Sequence, residues 1–199
     1  GGWVVIEPTD PGDDMDGTVI TCTDAAEWEA WLAANHDRAP EVWVKIAKKG
    51  APDTTITLSE ALDGALCYGW IDSIRRWYDA HHYVQRYSPR RPRSPWSQVN
   101  VAKVEALLAA GRMRAPGLAA VEAARADGRW AAAYASQREA TVPEDLATAL
   151  RRQPAARERF EALDRTGQYA LLLRLMKSGT QVQRENQLRR ILVELGGEP

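Results

Sequence analysis

The sequence predicts an α+β fold: a small mixed or antiparallel sheet with helices, followed by an all-helical C-terminal subdomain. Three observations carry this expectation. Strand-type alternation is confined to the first half of the chain. Two helices with Asp and Thr caps interrupt those strands. From residue 98 onward the apolar residues repeat only at helical spacing. The 199 residues are enough for one substantial core with a small appended helical unit.

Taken in order, Trp3 to Ile6 reads as a short strand or arm, and residues 7 to 17 (EPTDPGDDMDG) as an acidic, turn-rich loop. Thr18 to Thr23 is β-rich. Asp24 and Glu27 form a capping box for a helix to about Asn35, with Trp28, Trp31 and Leu32 on one face. In Glu41 to Lys48, Val42, Val44 and Ile46 alternate against Trp43 and Lys45, predicting a strand with one buried face. Thr57 and Glu60 make a second capping box, followed by helical spacing from Leu58 to Gly69. Ile74–Asp79 and Tyr83–Tyr87, around a break at Ala80–His82, predict a β-hairpin.

The helical half begins with Val101, Val104, Leu107 and Leu108, stopped at Gly111. Pro116 opens the next helix, with Leu118 and Val121 inward and Gly128 as terminator. Trp130 and Tyr134 are expected to fold back as aromatic packing. Pro143 and Pro154 each open a helix, the latter carrying Phe160 and Leu163. Helices over 167–177 and 181–195 follow. The expected organisation is an arm at 1–17, an α+β core at 18–135 and a helical subdomain at 136–199.

Composition narrows the function classes. A 45% hydrophobic and 27% charged chain is globular rather than disordered. No apolar run reaches the roughly 20 residues that span a bilayer, so no membrane partner is expected. The lack of an export pattern and the two lone cysteines, Cys22 and Cys67, predict a cytoplasmic location. With no CxxC and three histidines, neither a metal nor a cofactor is expected. The net charge of −1 conceals an asymmetry: residues 70–103 hold seven bases against two acids, a local +5. Such a segment suits a local anion rather than a long polyanion.

That basic segment carries the chemistry. Its arginines alternate with Trp70, Trp77, Tyr78, Tyr83, Tyr87 and Trp96, and guanidinium groups both stack on aromatic faces and clamp carboxylates or phosphates. In SPRRPRSPWS, Pro89, Pro92 and Pro95 stiffen the backbone that presents Arg90, Arg91 and Arg93. Ser94, Ser97 and Asn100 lead into a helix N-terminus, where free N–H groups favour anions; for Ser97 plain capping is the simpler role. On a strand Arg75 and Trp77 share one face, Arg76 and Tyr78 the other. His81 and His82 fall at the predicted turn, where exposed histidines rarely matter. The expected binding residues are Trp70, Asp72, Arg75, Arg86, Arg90, Arg91, Ser94, Trp96 and Asn100, forming one cleft. Asp72 and Cys67 are the weak catalytic candidates, Cys67 being by default a small buried thiol at a helix C-terminal end.

Several of these residues also carry a family resemblance. ALCYGWIDS (65–73), YVQRYSPRRPRSPWSQVN (83–100), GRM (111–113), and DGRW followed by AY (127–134) resemble the bacterial YdeI/OmpD-associated, bacteriocin-protection family. The resemblance covers roughly residues 18–195. The C-terminal helices resemble that family's OmdA-like tail, with SGTQVQRENQLRR (178–190) where many members carry a basic, threonine- and arginine-rich segment. It implies protection against antimicrobial peptides or envelope stress, with no common reaction.

Three functions follow. The first is a cytoplasmic ligand-binding or protective protein whose Arg/Trp cleft takes an anionic or aromatic small molecule or peptide. Cationic defence peptides would be repelled by the +5 segment, so a directly bound ligand should be anionic, aromatic or carboxylate-bearing. The second is an enzyme of a bacterial secondary-metabolite or resistance pathway, with Asp72 as general acid or base and Arg86 and Arg90 stabilising a developing anion. It lacks any recognisable triad, P-loop or dinucleotide fingerprint. The third, a single-stranded nucleic-acid binder, has the right side chains but is opposed by the net charge and the lack of a module signature. The oligomeric state is left open.

Overall fold

The computed structural model describes residues 4–6 and 17–199, so most of the predicted acidic loop lies outside the described residues. The architecture is α+β with C-terminal helices. The chain divides into two compact units, Gly1–Ser94 with Ala102–Asp127, and Pro95–Val101 with Gly128–Pro199.

The first unit contains a five-stranded mixed sheet of order β1-β2-β3-β5-β4, built from β1 (Val4–Ile6), β2 (Val19–Thr21), β3 (Val42–Ala47), β4 (Trp70–Trp77) and β5 (His82–Pro89). β2 and β3 pair in parallel, and helix α1 (Ala25–Asn35) forms the crossover between them. The other pairings are antiparallel. Asp24 caps α1 by accepting the Glu27 N–H, but the Glu27 carboxylate takes the N–H of Thr23 rather than that of the cap residue. Helix α2 (Leu58–Cys67) carries the full predicted box, with Thr57 and Glu60 bonded reciprocally.

Registration divides the side chains of the sheet between two faces. Val42, Val44 and Ile46 of β3 lie opposite Tyr87, Gln85 and Tyr83 of β5, all on the face covered by α1 and α2. There Trp28 packs on Tyr87 at 5.4 Å between ring centroids, and Trp31 meets Trp70 edge-on at 5.8 Å. The opposite face holds a smaller cluster of Val19, Trp43 and Val84, with Tyr78 against it. Trp43, predicted to face solvent, is therefore buried, and Arg76 lies over its ring at 5.5 Å.

Both hairpin strands begin earlier than predicted. Trp70 and Ile71 continue the pairing to Pro89 and Ser88, because the indole of Trp70 belongs to the core. The tight end is held by His82, which is buried instead of exposed. Its Nδ1 lies 2.8 Å from Asp79 and its Nε2 2.7 Å from Asp53. This ties the hairpin turn to the loop before α2.

Gly69, at φ 72°, turns the chain from α2 into β4. Helix α4 (Ala115–Ala126) packs its first turn against the end of α2, where the Arg114 N–H bonds the Cys67 carbonyl at 3.0 Å. Helix α3 (Gln98–Ala109) starts among the residues of the second unit and continues among those of the first.

The second unit has its own core. Helices α5 (Glu144–Arg152), α6 (Pro154–Ala162), α7 (Arg165–Met176) and α8 (Gln181–Glu194) bury Leu146, Leu150, Phe160, Leu172, Leu175 and Ile191 together. Arg184 of α8 holds Asp145 of α5 through two bonds, at 2.7 and 3.0 Å. The expected aromatic packing forms as Trp130 against Trp96 at 4.9 Å. Leu118, expected to face inward, is 45% exposed, and Val121 one turn on supplies the buried contact.

Candidate functional site

The predicted site residues separate into three groups. Asp72 and Arg75 share the helix-covered face of the first unit's sheet, and Arg90 lies near enough for its charge to act on Asp72. Strict alternation would put residues 72 and 75 on opposite faces. A bulge resolves this: Asp72 pairs with Tyr87 and Arg75 with Gln85, so three steps along β4 match two along β5. The Arg75 guanidinium lies 4.9 Å over the Tyr83 ring. Arg90 is brought in by its backbone N–H, which bonds the Gly69 carbonyl just before β4, and its Nη2 donates to Ser94 Oγ at 3.1 Å.

Electrostatics reflect the convergence. Burial raises the Asp72 carboxyl above its ordinary range, and its own N–H, Arg75 and Arg90 offset this only in part. Beneath lies Tyr87, fully buried, its hydroxyl without a hydrogen-bond partner. Burial, then the charge of Asp72 and the phenol of Tyr83, push that hydroxyl upward, while Arg75 pulls it down. Gln85, between the two tyrosines, donates from Nε2 to the carbonyl of Ile74 at 3.0 Å and so fastens the bulge. Tyr83, Gln85 and Tyr87 were absent from the predicted site. A glutamine between two tyrosines on the core-facing side of a strand was the available signal.

The second group stays in the first unit but outside this cluster. Trp70 is 1% exposed and is a core side chain. Arg86, one residue from Tyr87, faces the other side of the sheet, where it pairs with Glu41 and bonds Ser73. Arg91 is exposed, on a turn in which Arg93 adopts a left-handed φ of 66°. Cys67 is fully buried and its thiol is pushed up to about 11, chiefly by burial; Cys22 rises to about 12 for the same reason. Such thiols are packed, not activated.

The third group, Trp96 and Asn100, belongs to the second unit. Trp96 is buried against Trp130, and the Asn100 N–H bonds Ser97 Oγ at 3.1 Å, the capping role weighed for that serine. Among the described residues no group of His, Cys, Asp and Glu is placed to hold a metal ion, and no helix is long and apolar enough to cross a membrane.

Residues 20–120, half of the chain, match the family model described as Domain of unknown function (DUF8412). The chain belongs to that family. Residues 139–196 match a second model, described as Bacteriocin-protection, YdeI or OmpD-Associated, which bears out the resemblance in the helical tail. The Asp72–Arg75–Arg90 cluster and the motifs at 65–73 and 83–100 lie within the DUF8412 match. No curated protein and no solved structure matches the chain.

Proposed function

We propose that the chain is a bacterial protective protein, cytoplasmic, that binds an anionic or aromatic small molecule or peptide through Asp72, Arg75 and Arg90. The coarser half of this reading, a protective or resistance-related role, follows the family match at residues 139–196. The finer half rests on one observation: a bulge in an edge strand puts the Arg75 guanidinium on the same face as the half-buried Asp72 carboxylate, which also feels the charge of Arg90. Two arginines, one stacked on Tyr83 and one tethered through Gly69 and Ser94, offer donor forks with little left to order.

Isothermal titration against anionic and aromatic small molecules and acidic peptides tests the reading. Hydrogen bonds to charged groups contribute about 1.5–3 kcal/mol each, so Arg75→Ala combined with Arg90→Ala should weaken a hit by at least about tenfold. A hit whose affinity is unmoved by the double substitution would remove the site.

A further inference from the structure

The cluster does not have the composition of a simple anion trap. Arg75 shares the face of Asp72, and Arg90 lies within electrostatic reach of it, so two positive charges stand about a negative one. A bare carboxylate or phosphate entering the arginine forks would meet the Asp72 charge at short range, and like charges that close repel strongly outside bulk water. Asp72 is also half-buried, against the preference of its charged form. A ligand that brought its own positive charge to Asp72 would remove both penalties.

One further feature describes the rest of the ligand. Trp77, on the same face as Arg75 and opposite Tyr83, is 59% exposed and presents an open indole surface. Resting on the binding reading above, the geometry points to a zwitterionic ligand, a free α-amino acid with an aromatic side chain. Its carboxylate would lie against Arg75 and Arg90, its ammonium against Asp72, and its ring along the exposed indole of Trp77. Here Asp72 selects for the ammonium, and the arginines hold the carboxylate.

Calorimetric titration with L-phenylalanine, N-acetyl-L-phenylalanine and 3-phenylpropionate separates this inference from the reading beneath it. The three share ring and carboxylate, and only phenylalanine carries the ammonium. Phenylalanine should bind at least about tenfold more tightly than the other two, the size expected of one charge-assisted bond. Asp72→Asn should erase that preference while leaving 3-phenylpropionate bound. If all three bind the wild-type protein equally, the zwitterion is wrong and a plain anion site remains. If none binds, or if Arg75→Ala with Arg90→Ala leaves their binding unchanged, the site itself is lost and the inference with it. The ranking on the wild-type protein decides the matter even if a variant folds poorly.

Discussion

Asp72 is costly to the folded protein at neutral pH, since burial there outweighs the attraction of Arg75 and Arg90 and holds its carboxyl above the ordinary range. The folded state therefore grips the Asp72 proton more tightly than the unfolded chain does. The stability this contributes is present at low pH and is lost as pH climbs from the ordinary carboxylate pKa of about 4 upward. Asp72→Asn, which cannot ionise, should melt above the wild-type protein at pH 7, and the gap should close as the pH falls below that range. Thermal unfolding at pH 7 and at about pH 3.5 checks this; a variant that melts lower at pH 7 would show that the arginines, not burial, govern the residue. His82 presents the contrary case, a residue whose importance was invisible along the chain. Asp53, one of its two partners, stands 29 positions upstream, so nothing in the local sequence marks that histidine as buried.

At the scale of elements, the junction of α2, β4 and α4 depends on two positions without side chains. A Cβ at Gly117 would lie 2.2 Å from the Cys67 carbonyl oxygen, which is backbone and cannot turn aside, and one at Gly69 would meet the Pro116 carbonyl at 2.9 Å. Gly117→Ala should therefore cost at least about 1–3 kcal/mol, the range for overpacking a tight contact. It should do so without touching Asp72 or the arginines, so denaturant unfolding should shift while binding by the folded protein persists. Unchanged stability would mean α4 can slide away from α2. Element existence was readable because its signals are local: Thr57 and Glu60 cap α2, Pro116 and Pro154 open helices, and Gly111 and Gly128 end them. The division of the site was not, because it turns on a single extra residue. Without the bulge between Asp72 and Arg75 the two would face opposite ways, and nothing in IDSIRRW announces where β4 slips against β5. Arg86, by contrast, stands with Glu41 on the other face through the plain alternation of β5.

At the scale of the whole molecule, the match at 139–196 falls in the second compact unit, and the match at 20–120 falls in the first except for 95–101, which belongs to the second. Each unit has what independent stability requires: a sheet covered by α1 and α2 in one, and a closed helical core about Leu172, Leu175 and Ile191 in the other. The candidate site draws on the first core alone. Leu175 is fully buried in the second, and Leu175→Ala should cost about 2–5 kcal/mol there, the range for deleting a buried leucine side chain. If the units fold separately, that loss should be confined to one of them. Native-state hydrogen exchange reads it out directly: amides of α7 and α8 should lose protection while those of β3 and β5 keep theirs. Binding at Arg75 and Arg90 should be unaffected. Uniform loss of protection across the strands as well would instead make the chain one cooperative unit, with α3, whose residues are shared between the two, as the element through which the destabilisation passes.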